Sequence, residues 1–142
     1  MASVQLYRLL EAVLSSIGPD TLTDEDIDKL GFFFPSTLVV GALDLIDRDC
    51  VIKYNTLWGR SHYQVLGSMG TYVVFPSLAQ SPSMPSFCDC PAFSYTVLLS
   101  HTHLMCKHVL AARVAERLRR CVERSIGPDE LGSLLSRQHS NM

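Results

Sequence analysis

Between Val4 and Ile17 the apolar side chains Tyr7, Leu10, Leu14 and Ile17 recur three and four residues apart, the period of one helix face. Gly18-Pro19 closes that pattern. Thr23 stands ahead of Asp24, Glu25 and Asp26, an N-cap followed by acids that suit a helix N-terminus. A short helix is therefore predicted to Leu30, with Gly31 as its stop. After Phe32-Phe33-Phe34 and Pro35, Ser36 opens a third helix through about Ile46. The period then shortens. Cys50–Tyr54 and His62–Leu66 read as two strands joined by Thr56-Leu57-Trp58-Gly59-Arg60, and Thr71–Phe75 as a third. Ser77–Ser86 has four Ser and two Pro and no periodicity, so it reads as an exposed loop. Phe93–Leu99 reads as a short helix. Val109–Arg124 reads as a long one, with Leu110, Val114, Leu118 and Cys121 as its apolar stripe. A last short helix is expected from about Pro128 to Arg137. Ser-Ile-Gly-Pro-Asp at 16–20 recurs at 125–129, but the flanks do not match and it reads as two similar helix ends.

The class expected is α+β, with N-terminal helices, a small antiparallel sheet and a long C-terminal helix. At 142 residues one domain is expected over 1–142. Within it lie a helical part at 1–47, antiparallel strands at 48–76, a flexible loop at 77–87, and a metal-binding finger with its helix at 88–124. Three consecutive Phe cannot all point inward from a helix or strand. Either one of Phe32, Phe33 and Phe34 is exposed or faces a partner, or the segment is covered on both sides. Trp58 beside Arg60 at a hairpin tip suits stacking on a base or an interface, or packing back on the sheet.

Apolar residues make up 47% of the chain, enough for a core. No apolar run reaches bilayer length, since Thr37–Leu43 stops at Asp44. The N-terminus lacks a secretory pattern, so an intracellular chain without a membrane partner is expected. Five Cys is an odd count, which fits a reducing compartment with a metal site better than disulfides. Net charge is −2, but its distribution is uneven. Residues 1–50 hold nine acids and three bases, and residues 105–142 hold seven bases and four acids.

The chemistry concentrates in Cys88-Asp89-Cys90 and Cys106-Lys107-His108. Three thiols and an imidazole are a complete tetrahedral set for zinc. In a C-x-C pair on an extended segment both sulfurs reach one side, and a C-x-H pair does likewise at a helix entry. Buried cysteines are also common as inert core residues, which is the reading taken for Cys50 and Cys121. His101 and His103 are spare ligands nearby, and His103 is the alternative to His108. Four protein donors leave no open position for a catalytic water, so one structural Zn²⁺ per chain is expected, with no catalytic residue, no enzyme activity and no small-molecule substrate. The H-x-E and P-C-x-x-C pattern of zinc deaminases is missing, as is a phosphate-binding G-x-x-x-x-G-K-[ST] loop. A zinc hydrolase is the enzymatic alternative.

Cys88-x-Cys90, Cys106-x-His108 and Ala111 together resemble the SWIM zinc-finger family. Cys-Asp-Cys-Pro-Ala-Phe at 88–93 and Leu-Met-Cys-Lys-His-Val-Leu-Ala at 104–111 strengthen this, as do Ala42–Arg48, Gly59-Arg60 and Tyr63–Ser68. Within that family they resemble the small SWIM subunits of Shu-type recombination complexes, over roughly residues 25 to 120. Ser77–Ser86 is longer than is usual there. The resemblance implies a non-enzymatic homologous-recombination factor in the nucleus. It implies a RecA-like recombinase paralogue as partner, with recombinase assembly promoted on single-stranded DNA. The alternative is a SWIM module serving as an adaptor elsewhere, for example in ubiquitin ligation.

Arg113, Arg117, Arg120 and Arg124 are spaced four, three and four apart, so on one helix they would form a narrow stripe. Three uses compete for it: contact with DNA phosphates, an acidic patch on the partner, or a solvated face partly neutralised by Glu116 and Glu123.

Overall fold

Leu10, Leu14 and Ile17 are all buried, as their shared helix face requires. The computed structural model describes residues 4–56, 61–67, 69–76 and 86–126. The first three helices are α1 Val4–Ser16, α2 Asp24–Phe33 and α3 Ser36–Asp47. Thr23 caps α2 reciprocally: the Asp26 N–H donates to Thr23 Oγ1, and the Thr23 N–H donates to Asp26 Oδ2, each at 3.1 Å. Gly31 does not end α2 as expected; the helix runs on to Phe33. A glycine inside a helix costs about 1 kcal/mol against alanine. Burying Leu30 and Phe34 on either side of it outweighs that, at roughly 2 kcal/mol each. The Phe triplet splits, with Phe32 81% exposed and Phe34 3%.

One five-stranded sheet follows, in the order β4-β3-β2-β1-β5. Its strands are β1 Val51–Thr56, β2 Ser61–Gly67, β3 Gly70–Phe75, β4 Phe87–Cys88 and β5 Val122–Ile126. β1 to β4 pair antiparallel in sequence, as the pattern predicts for the first three. β4 lies where a loop was expected to continue through 87. β5 corrects two further expectations. It runs parallel to β1, with Ile52 beside Val122 and Tyr54 beside Arg124, so the sheet is mixed. It also takes residues that periodicity assigned to the last helix.

That helix, α4, is Lys107–Leu118 and stops short of Arg124. Arg119 turns left-handed at φ 58. Its N–H reaches the Glu116 carbonyl, and the Arg120 N–H reaches the Ala115 carbonyl at 2.9 Å, the double closure of a Schellman turn. Glycine usually takes that position. Here the strand pairing beyond it fixes the turn with an arginine, so the sequence carries no visible stop.

Val51, Tyr63, Val65, Val74 and Cys88 face the helices and share one core with Leu10, Leu14 and Ile17 of α1, Ala42 of α3, and Leu110, Val114 and Leu118 of α4. The alternate residues Ile52, Tyr54, His62 and Gln64 face the other way. Phe93–Leu99 is helical as expected but wound as a π-helix, with the Ser100 N–H donating to the Tyr95 carbonyl at 2.9 Å. Among the described residues no helix is long and apolar enough to cross a membrane. Trp58 and Arg60, Ser68, Ser77–Pro85 with Ser81-Pro82, and the helix expected at Pro128–Arg137 lie outside the described residues.

Candidate metal centre

Each of the four ligand candidates is placed by the end of an element. Cys88 closes β4, paired with Val74 of β3. Asp89 locks the next peptide in place: its N–H donates to the Val73 carbonyl at 3.3 Å, and the Val73 N–H donates to its Oδ1 at 2.9 Å. The chain therefore stays extended through Asp89, and Cys90 projects to the same side as Cys88. Cys106 is the N-cap residue of α4, and His108 is its second helical residue.

The three Sγ atoms and one imidazole nitrogen lie within 4.8 Å of one another, and all four residues are buried. His108 turns Nδ1 to the sulfurs, 3.9 Å from Cys88 and 3.9 Å from Cys106. Its ring lies against Tyr72, with centroids 4.6 Å apart. Its Nε2 faces Gly67, where a Cβ would sit 3.4 Å away. The Phe93 N–H donates to Cys90 Sγ at 3.3 Å. Cys106 stands at the positive end of α4; contact with Cys88 lowers its thiol, but the hydrogen bond with Cys90 and burial together push it up to about 12.

The charge balance of the cluster also fits a cation. Hydrogen bonds with Cys106 and Cys90 push the Cys88 thiol far above the usual range, while those from Cys106 and Cys88 hold Cys90 far below it. Alone, the three thiols share protons because adjacent buried thiolates repel. A divalent cation removes that conflict, and zinc takes this donor set four-coordinate. Cys88, Cys90, Cys106 and His108 would hold it, pinning the β3–β4 edge to the start of α4. His101 and His103 stand outside the cluster.

The arginine stripe is corrected. Arg113 and Arg117 are on α4, but Arg120 lies beyond its Schellman turn and Arg124 is on β5. Arg113 donates to Glu11 of α1 at 2.8 Å and to the Pro76 carbonyl at 3.4 Å. Arg117 donates to the carbonyls of Ile17 and Ser15 at 3.0 and 2.7 Å, capping the C-terminal end of α1. Both therefore tie α1 to α4. Arg120 and Arg124 are exposed.

Sequence reasoning missed Asp89, Gly67 and Tyr72 as supports of the cluster. The single residue between the two cysteines was the available signal for Asp89. Gly67 and Tyr72 show their role only when β2 and β3 are paired against α4.

A SWIM zinc finger family model matches residues 72–112, a span that includes all four ligands. Zinc finger SWIM domain-containing protein 7 of Mus musculus is 36% identical over 139 residues, covering 94% of this chain and 86% of its own length. The Homo sapiens protein of that name is 35% identical, covering 94% of each chain. The Danio rerio protein is 34% identical, covering 94% of this chain and 89% of its own. No solved structure matches. With a buried Cys3His cluster inside the matched span and relatives alike over nearly their whole length, the chain belongs to the zinc finger SWIM domain-containing protein 7 family.

Proposed function

We propose that this chain is a non-enzymatic homologous-recombination factor that works in the nucleus beside a RecA-like recombinase paralogue. The pair promotes recombinase assembly on single-stranded DNA. The observation that carries this reading is the Shu-type string Cys88–Phe93 with Leu104–Ala111, which sits in a four-donor cluster inside a chain of this family. Four protein donors suit a structural metal rather than a reacting one. Phe32, Tyr95 and Leu99 are 81%, 66% and 72% exposed, which gives a partner apolar surface to cover. Of the four stripe arginines, Arg113 and Arg117 are engaged by α1, while Arg120 and Arg124 are exposed and suit contact with single-stranded DNA.

Affinity purification of the tagged, zinc-loaded chain from nuclear extract tests the proposal. A RecA-like ATPase should co-purify in stoichiometric amount and increase retention of the complex on single-stranded DNA. Recovery of a ubiquitin-conjugating enzyme in its place, with no ATPase, would assign the chain to the adaptor reading.

A further inference from the structure

The π-helix Phe93–Leu99 has two unlike faces. Phe93 is fully buried and Val97 packs on the core, whereas Tyr95 and Leu99 are 66% and 72% exposed, with Leu98 at 39%. The outer face is held rigid. At its start the Phe93 N–H is fixed on Cys90 Sγ. Thr96 Oγ1 donates to the Ala92 carbonyl at 2.6 Å, and Ser100 Oγ to the Tyr95 carbonyl at 2.9 Å. The Thr102 and His103 N–H groups both donate to the Thr96 carbonyl, at 2.9 and 3.1 Å, so the outgoing chain folds back on the helix. From Pro91 to Met105 the chain has no Asp, Glu, Lys or Arg. An exposed aromatic and aliphatic group without charges is the composition found at the centre of protein interfaces.

We infer that this outer face is a docking ridge that seats in an apolar, uncharged groove on another protein, with Tyr95 and Leu99 as its anchors. Other occupants fit worse. Nucleic acid is held by cations, and residues 91–105 contain no Lys or Arg. A helix lying on a membrane surface carries those same cations on its polar face. A second copy falls short on area. Tyr95, Leu98 and Leu99 together offer about 350 Å² of apolar surface, at roughly 200 Å² for a fully exposed side chain of this size, where a stable dimer needs about 800 Å² per partner. A short helix with anchors at i and i+4 matches the way a helix fills a hydrophobic groove. Its backbone is already ordered by the bonds above, so docking costs little further entropy. The inference rests on the recombination reading only in requiring a protein partner.

Photo-crosslinking of the full chain in cells tests it, with a benzophenone amino acid in place of exposed Ser94. The expected product is a crosslink to another protein, mapped by mass spectrometry to an apolar, uncharged segment. Tyr95→Asp with Leu99→Asp should lower its yield about tenfold or more, while zinc content stays at one per chain. Tyr95→Ala with Leu99→Ala adds no charge and keeps the test valid if the Asp variant does not fold. Tyr95→Phe with Leu99→Met should retain the yield. An unchanged yield in a folded Asp or Ala variant would overturn the inference. So would a crosslink to a second copy, to DNA or to lipid, or no crosslink from position 94. A RecA-like ATPase captured in this way supports both readings. A different protein captured in this way keeps the ridge and counts against the recombination reading, whereas an ATPase that still co-purifies in full with the Asp variant counts against the ridge alone.

Discussion

Arg113 on α4 holds Glu11 on α1 across 102 residues of chain, donating from Nη1 to Oε1 at 2.8 Å. Arg117, one turn on, reaches the Ser15 carbonyl at the end of the same helix and the Ile17 carbonyl just beyond it. A pair of arginines that sequence spacing offers to phosphate is thus occupied within the fold. Burial alone would lower the Arg113 pKa, but Glu11 reverses that and raises it.

Arg113→Ala should destabilise the chain by about 1–2 kcal/mol, above a surface pair because the arginine side is largely buried. Glu11→Ala should cost a similar amount, and the double variant little more than either alone, since the two share one interaction. Chemical denaturation of the four-member cycle reads this. Full additivity would show that the contact contributes nothing.

Gly67→Ala should weaken zinc binding without touching a ligand. A Cβ there would lie 2.9 Å from the Tyr72 ring and 3.2 Å from the Gly70 carbonyl. Tyr72 must then shift, and it is the ring that His108 packs against. Loss of such support typically weakens metal affinity about tenfold to a hundredfold. Competition with a chromogenic chelator measures it, and unchanged affinity would mean that His108 is positioned by α4 alone.

His62 should make stability fall in mild acid. Burial against Tyr54 and Phe75, with Gln64 on the same face, holds its pKa below the ordinary 6.5. A depressed folded pKa means that the unfolded chain takes the proton first, so this stability is present above pH 6.5 and lost as pH falls through the lowered value. His62→Phe should flatten that slope in urea titrations at successive pH values. An equal slope in both proteins would remove His62 as its source.

The metal cluster was legible because its donors sit in two short triplets, where one alternating step and one helix entry suffice to aim them. The first three helices were legible for a similar local reason, since Thr23 and the Leu10–Leu14–Ile17 period act within a few residues. What escaped was decided at a distance. Val122–Ile126 continues a helical period and becomes a strand because β1 has an open edge beside it. Arg119 turns left-handed without a glycine to announce it. The arginine stripe depended on that helix continuing, and was lost with it. Gly31 was the opposite error, a local stop signal overruled by burial of Leu30 and Phe34.

One zinc per folded chain is expected in native mass spectrometry, with X-ray absorption showing three sulfurs and one nitrogen and no water oxygen. The geometry behind this is the mutual approach of Cys88, Cys90, Cys106 and His108 to within 4.8 Å in a buried pocket of donors. Cys106→Ser should remove the metal, because a serine hydroxyl is not ionised near neutral pH and cannot replace a thiolate. The cost is large: structural zinc sites contribute on the order of 10 kcal/mol to folding in finger peptides. Most of that loss should appear as exchange of α4 amides with deuterated solvent, since Cys106 caps that helix, while α2 keeps protection from its own Thr23–Asp26 box. Chelation of the native chain should give the same pattern and be reversed by added zinc. A chelated protein with α4 still protected would show that packing of Leu110, Val114 and Leu118 suffices without the metal. A fourth ligand of oxygen would reopen the hydrolase alternative.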